Sequence, residues 1–136
     1  MKWINKNGKE FQFADRQYRI DWKKRAPSKG SQAVKDLLFK NYAHLDWYEE
    51  YRIPGTRLRV DFLCSNIRVA IEFHGRQHQD FVPFMHGSRS GFLSHIKRDV
   101  KKEELLTKNG FRFIEIYEED VDSLSKKWFE EKLNAV

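Results

Sequence analysis

The sequence predicts one mixed α/β domain in which helices pack on a small sheet. Apolar residues recur at helical spacing from about residue 32, and three later runs alternate apolar with polar residues, as half-buried strands do. A further helix, strand and helix follow. The 136 residues suffice for one hydrophobic core but not for two. We therefore expect a single domain over residues 1–136.

Residues 1–27 are expected to form an accessory hairpin and a basic linker. The hairpin turns at Asn7-Gly8, because this pair readily adopts the positive φ angles of a tight turn. The linker is polar and is broken by Pro27. Ser28 or Ser31 can then cap the first core helix. Its buried face carries Val34, Leu37, Leu38, Tyr42 and Leu45.

Three strands follow this helix, at about residues 47–53, 58–64 and 67–74. If Ser65-Asn66 is a two-residue hairpin loop, Phe62 pairs with Val69 and all the apolar residues of the second and third strands share one face. The same register makes Asp61 and Glu72 diagonal neighbours on the other face.

The rest of the predicted core, which spans residues 28–118, is a long loop over residues 75–90, a helix from about Gly91 to Asn109 and a fourth strand from Phe111 to Ile116. A last helix lies within residues 119–136, capped by Asp120 or Asp122.

Charge and cysteine content narrow the expected class of protein. The net charge of +6 attracts polyanions, so nucleic acid is the first partner to consider. The single cysteine, Cys64, excludes an internal disulfide and indicates a reducing compartment. No apolar run is long enough to cross a bilayer, and the first residues do not resemble a signal peptide. A cytoplasmic protein without a membrane partner is expected.

Asp61 and Glu72 are the candidate reactive centre. Two carboxylates on adjacent strands, flanked by basic residues, suit a divalent cation that prefers oxygen ligands, Mg²⁺ or Mn²⁺. Such a cation activates water for phosphodiester hydrolysis. Alternatively, the acids are ordinary polar positions on a solvated face, balanced by Arg57, Arg59 and Arg68 across the strands.

Three stretches of the chain resemble the PD-(D/E)XK, or restriction-endonuclease-like, nuclease superfamily. They are Gly55-Thr-Arg-Leu-Arg-Val-Asp61, Ile67-Arg-Val-Ala-Ile-Glu72-Phe-His74-Gly75-Arg-Gln-His78 and Lys97-Arg98-Asp99-Val-Lys-Lys102. The resemblance is greatest to very-short-patch-repair and mobile-element (phage-type) endonucleases. It covers about residues 30–118 and implies a core of helix, three strands, helix and strand.

The resemblance implies roles for particular residues. Asp61, Glu72 and the backbone carbonyl of Phe73 would bind the metal ion. Asp99, Lys102 and His78 match positions that accompany the metal site, and Gln32 is the candidate polar residue on the first helix. Gln32 is equally expected as an exposed residue near the cap, and Asp99 as the partner of an ion pair with Arg98 or Lys102.

One position departs from the family pattern. His74 stands where these nucleases usually carry lysine, so either His74 or Lys102 could transfer the proton. The residues expected to contact DNA are Arg57, Arg59, Arg76, Arg98, Lys101 and Lys102.

The sequence thus predicts a metal-dependent DNA endonuclease, and several alternatives stay open. The same site could serve a Holliday-junction or branched-DNA resolvase acting as a homodimer. The chain could also be a catalytically inactive nucleic-acid-binding module of the same fold. A zinc site would need convergence of histidines drawn from His74, His78, His86 and His95.

Overall fold

The structure is a computed structural model that describes residues 1–75 and 100–135. Its strands are β1 (Lys2–Ile4), β2 (Glu10–Gln12), β3 (Trp47–Arg52), β4 (Arg59–Cys64), β5 (Val69–His74) and β6 (Arg112–Tyr117). Its helices are α1 (Lys29–Tyr42), α2 (described over 100–108) and α3 (Lys126–Ala135), with short 3-10 helices at Arg16–Tyr18 and Glu118–Ser123.

The main sheet has four strands in the order β3-β4-β5-β6. The first two pairings are antiparallel, and β5 pairs with β6 in parallel. The mixed α/β class and the sequence order of the strands are therefore confirmed. Strands β1 and β2 form a separate antiparallel hairpin.

Both faces of the main sheet are covered. On one face, Leu38 of α1 and Phe129 of α3 pack against Phe62 and Ile71. On the other face, Trp3 of the N-terminal hairpin and Leu106 of α2 pack against residues of β4 and β5 that include Leu63 and Ala70. Strands β4 and β5 therefore have buried residues on both sides. Among the described residues, no helix has the length and apolarity to cross a membrane.

Helix α1 begins where the sequence predicts. The Ser28 hydroxyl accepts the Ser31 N–H at 3.1 Å, and the Ser31 hydroxyl accepts the Ser28 N–H at 3.0 Å, which is a capping box. Gly30 lies against the ring of Phe73, since an added β-carbon would stand 2.0 Å from Phe73 Cζ. This close approach seats the start of α1 on β5, beside Glu72.

The predicted register between the second and third strands is wrong. Phe62 pairs with Ile71, not with Val69, because the connection is a four-residue turn over residues 65–68. Arg68 takes the left-handed conformation in this turn, with φ of 51°. Since the shift is two residues and side chains alternate with a period of two, each side chain keeps its face.

The prediction that all the apolar residues of these strands share one face is also wrong. Phe62 packs toward α1, whereas Val60 packs toward the N-terminal hairpin. On β3, Tyr51 packs beside Val60, while Glu49, opposite Phe62, reaches Lys35 of α1. Between Glu49 and Tyr51, Glu50 has φ of 48°, which breaks the alternation.

Other boundaries differ in detail. The N-terminal turn spans residues 5–9, with Gly8 but not Asn7 at positive φ. The last helix starts after Ser125, whose hydroxyl accepts the Trp128 N–H at 3.1 Å, so neither Asp120 nor Asp122 caps it.

The second helix of the core ends as predicted, with Gly110 at φ of 82°. Its predicted beginning, and nearly all of the predicted loop at 75–90, lie outside the described residues.

Candidate functional site

Asp61 of β4 and Glu72 of β5 meet on the sheet face that α2 covers. The Phe73 N–H donates to Asp61 Oδ2 at 2.7 Å, and the Asp61 N–H donates to Glu72 Oε2 at 3.3 Å. Continuing the pairing of Phe62 with Ile71 sets the two acids opposite each other rather than diagonally. Each carboxylate is thus held by the backbone of the neighbouring strand.

Lys102 extends from α2 to this pair. Its Nζ lies 2.9 Å from Glu72 Oε1, and the side chains of Lys102 and Glu72 are 10% and 14% exposed. The sequence placed Lys102 at the site by resemblance alone. In the structure Lys102 directly contacts Glu72.

The protein environment disfavours negative charge on both acids. Burial, and then the negative charge of Asp61, raises the pKa of Glu72 to about 7, against the opposing effect of Lys102. Burial also raises the pKa of Asp61, although the hydrogen bond from Phe73 opposes the change. Two buried carboxylates facing one lysine leave negative charge that a bound cation can compensate.

Two further acids lie near Asp61, and the sequence analysis did not identify them. Burial and the charge of Asp61 raise the pKa of Glu50, and the charge of Glu49 contributes to the raised pKa of Asp61. Glu49 itself is paired with the buried Lys35, with Nζ 2.8 Å from Oε2. Glu50 lies opposite Asp61 in the β3–β4 pairing, between Glu49 opposite Phe62 and Tyr51 opposite Val60.

His74 lies at the end of β5 against two residues of β6. Its Nε2 is 3.3 Å from Glu115 Oε1, and its ring stacks on Tyr117 with centroids 5.1 Å apart. The hydrogen bond with His74 is the largest cause of the lowered pKa of Glu115. The Tyr117 hydroxyl also donates to Glu115 Oε2 at 3.2 Å.

Glu115 was missed by the sequence analysis, although a weak signal exists. It is the acid between Ile114 and Ile116 in an otherwise apolar stretch of β6, and it pairs with Glu72 in the parallel ladder. A lone acid between buried residues needs a partner, which here is His74.

The remaining predicted residues have varied positions. Gln32 accepts the Ala26 N–H at 2.7 Å and donates to Asp36 at 2.8 Å, so its amide holds the basic linker instead of contacting the acids. Arg57, Arg59 and Lys101 are exposed. The predicted site residues that lie outside the described residues are Arg76, His78, Arg98 and Asp99.

The residues present fit a hard divalent cation in donor chemistry. Asp61 and Glu72 supply carboxylate oxygens, and Phe73 belongs to the same centre because its N–H contacts Asp61. Within residues 1–75 and 100–135, no three side chains of histidine, cysteine, aspartate or glutamate form a group that could hold a metal ion. Of the four histidines considered for zinc, only His74 falls in these ranges.

Comparison with known proteins finds similarity to viral proteins. Uncharacterized protein 094L of Frog virus 3 (isolate Goorha) is 33% identical over 63 residues, 46% of this chain and 41% of that protein. Uncharacterized protein 033L of Invertebrate iridescent virus 3 is 30% identical over 64 residues, 47% of this chain and 33% of that protein. Uncharacterized protein 307L of Invertebrate iridescent virus 6 is 27% identical over 59 residues, 43% of this chain and 30% of that protein.

Each match therefore spans less than half of the viral protein. No protein-family profile matches the chain, and no solved structure matches it. The chain is similar to segments of these three viral proteins over less than half of its own length.

Proposed function

We propose that this chain is a metal-dependent endodeoxyribonuclease with a restriction-endonuclease-like core. The observation that carries the proposal is the pair Asp61 and Glu72, half-buried on adjacent strands, with Lys102 in contact with Glu72. The order of helix, three antiparallel strands, helix and parallel strand supports the same proposal. Its substrate is DNA, to which the net charge of +6 is complementary.

The metal ion of this proposal is Mg²⁺, for which Mn²⁺ can substitute. Asp61, Glu72 and the carbonyl of Phe73 would hold it. When bound, it supplies Lewis acidity toward a phosphodiester and lowers the pKa of a water molecule. Asp61 is oriented for this task by the Phe73 N–H, and Glu72 by Lys102 and the Asp61 N–H.

Two side chains can take part in the reaction, one by stabilising negative charge and the other by transferring a proton. Lys102 lies 2.9 Å from Glu72 and can stabilise negative charge that develops on a phosphate. His74, held between Glu115 and Tyr117, carries an imidazole, a group that can accept or donate a proton. The departure from lysine at position 74 is therefore compatible with catalysis, with Lys102 supplying the cation from α2.

Cleavage of plasmid and linear DNA tests the proposal. Wild-type protein with Mg²⁺ or Mn²⁺ should nick or cut DNA, and excess chelator should stop the reaction. Asp61→Asn should lower the rate by at least about 100-fold, since it removes an anionic ligand while keeping the size of the side chain and its hydrogen bond from Phe73.

The matched control is Asp122→Asn, the same change at an exposed acid of the 3-10 helix after β6. It should retain wild-type cleavage. Undiminished cleavage by Asp61→Asn, or by wild-type protein in chelator, would contradict the proposed site. Absence of cleavage across linear, nicked, flapped and four-way DNAs in either metal would contradict the nuclease itself.

A further inference from the structure

Two arginines face each other across β3 and β4. Arg52 and Arg59 are partners in the antiparallel ladder, and both are exposed. Like charges placed directly opposite each other destabilise a sheet. The Arg52–Arg59 pair therefore works against the stability of the hairpin unless an anion binds between the two side chains.

No acid in the described part of the chain forms an ion pair with either arginine, although Glu50 lies within electrostatic range of Arg59. The ion pairs formed within residues 1–75 and 100–135 include neither Arg52 nor Arg59, and they do not include Arg57 in the connecting loop. Arg52 Nε donates to the Thr56 carbonyl at 2.7 Å. This bond fixes the plane of the guanidinium while its two terminal nitrogens still have N–H groups to donate.

The arginine pair lies close to the acidic centre. Arg59 precedes Asp61 by two residues on β4, about 7 Å along an extended strand. Its positive charge lowers the pKa of Glu50, which the charge of Asp61 raises. Glu50 thus lies within electrostatic range of both Arg59 and Asp61, so the arginine pair lies near the acidic centre.

We propose that Arg52 and Arg59, assisted by Arg57, bind a phosphate of a nucleic-acid backbone next to the phosphate positioned at Asp61 and Glu72. The planar guanidinium, with its forked donors, suits phosphate oxygens better than a lysine does. The backbone is the occupant favoured here because it presents successive phosphates, one for the acidic centre and one for the arginines. The location of this phosphate next to the cleaved phosphate rests on the proposed nuclease activity. The contact between the arginines and the nucleic-acid backbone requires DNA binding alone.

The test is DNA binding by the double variant Arg52→Gln/Arg59→Gln, measured by fluorescence anisotropy with a labelled duplex in chelator over a range of salt. Losing the arginine contacts to this phosphate should make the slope of log K against log salt shallower by about 1, and should raise Kd at low salt at least about tenfold. The double variant Lys6→Gln/Lys9→Gln, on the exposed N-terminal hairpin, removes the same charge and should keep the slope.

Thermal unfolding in dilute buffer provides the second readout. Removing two like charges that face each other should leave the Arg52→Gln/Arg59→Gln protein at least as stable as wild type. Added inorganic phosphate should raise the Tm of wild type more than the Tm of this variant. A lower Tm of the variant in dilute buffer would indicate a structural role and overturn the proposal. So would an unchanged salt slope, or an equal change in the lysine control.

The two proposals fail in different ways. A shallower slope for the arginine variant without cleavage by wild type would support the phosphate contact and contradict the nuclease. Cleavage by wild type with an unchanged slope for the variant would support the nuclease and contradict the phosphate contact. Vesicles containing phosphatidylglycerol present phosphates in a membrane, and arginine-dependent binding to them without arginine-dependent DNA binding would overturn the backbone as the partner.

Discussion

The surroundings of Asp61 disfavour its negative charge. When charged, this side chain therefore lowers the stability of the folded protein. Its pKa is raised by burial, and its charge helps to raise the pKa of Glu72 to about 7. An acid whose pKa is higher in the folded protein than in the unfolded chain binds protons preferentially in the fold. Stability from this source is present at acidic pH and is lost as the pH rises.

We expect Asp61→Asn to stabilise the metal-free protein at pH 8. For Glu72 the loss of stability with pH falls between pH 4.5 and about 7, so above this window Glu72 is charged in wild type. Replacing the neighbouring Asp61 by a neutral amide should then raise the free energy of unfolding by about 1–2 kcal/mol. Urea denaturation in chelator at pH 8 and at pH 4.5 measures the effect.

The gain should shrink at pH 4.5, where protonation relieves the wild-type repulsion. Asp122→Asn, at an exposed acid, should change stability little at either pH. A loss of stability by Asp61→Asn at pH 8 would contradict this account of the acidic pair.

At the scale of elements, the contact between α1 and β5 sets the position of the site. Gly30 gives space to the ring of Phe73, and the N–H of the same Phe73 holds Asp61. The capping box at Ser28 fixes where α1 begins, and so places Gly30 over the ring. Local capping therefore determines part of the geometry of the acidic centre.

We expect Gly30→Ala to destabilise the protein. Alanine is favoured over glycine in a helix by about 1 kcal/mol, but its β-carbon would lie 2.0 Å from Phe73 Cζ. Displacing a packed ring typically costs about 1–3 kcal/mol, so the net change should be a loss of about 1 kcal/mol. Urea denaturation measures it, with Lys29→Ala at the exposed preceding position as control.

Lys29→Ala should be close to neutral. A Gly30→Ala protein as stable as wild type would mean that the ring of Phe73 moves freely, contrary to the seating of α1 on β5.

Some elements were predictable and others were not. Helix α1 and its cap, the strand order and the end of α2 at Gly110 follow from periodicity and end signals. The β4–β5 register was mispredicted because Ser65-Asn66 resembles a complete turn, whereas the chain extends it to Arg68 in a left-handed conformation. Non-glycine residues rarely take this conformation, and the sequence pattern does not predict where one does.

For the whole molecule, an excess of positive charge surrounds a buried acidic centre. The net charge is +6, yet four acids, Glu49, Glu50, Asp61 and Glu72, act electrostatically on one another inside it. Of these, Glu49 and Glu72 each have a lysine partner. A basic surface attracts a polyanion, and a bound cation would offset the charge of the acidic centre, so the two features are complementary in the proposed metal-dependent nuclease.

We expect divalent cations to stabilise the folded protein through this centre. A ligand at 100 times its Kd adds about 2.7 kcal/mol to the free energy of unfolding, which raises the Tm of a domain of this size by several degrees. Mn²⁺ or Mg²⁺ should raise the Tm of wild type and of Asp122→Asn, and chelator should reverse the shift. Asp61→Asn should respond much less, and an equal response would place the binding site elsewhere.

The sequence by itself determined which side chains share the site face. Side chains alternate with a period of two, so any even shift of register keeps Asp61 and Glu72 on the same face. Their shared face was therefore predicted correctly although the length of the turn was not. Only the tertiary structure decided what surrounds them: Glu115 pairs with His74 through the parallel β5–β6 ladder, and Glu50 of β3 comes near Asp61 through the β3–β4 pairing. These contacts join residues on different strands, and such pairings leave no periodic pattern in sequence.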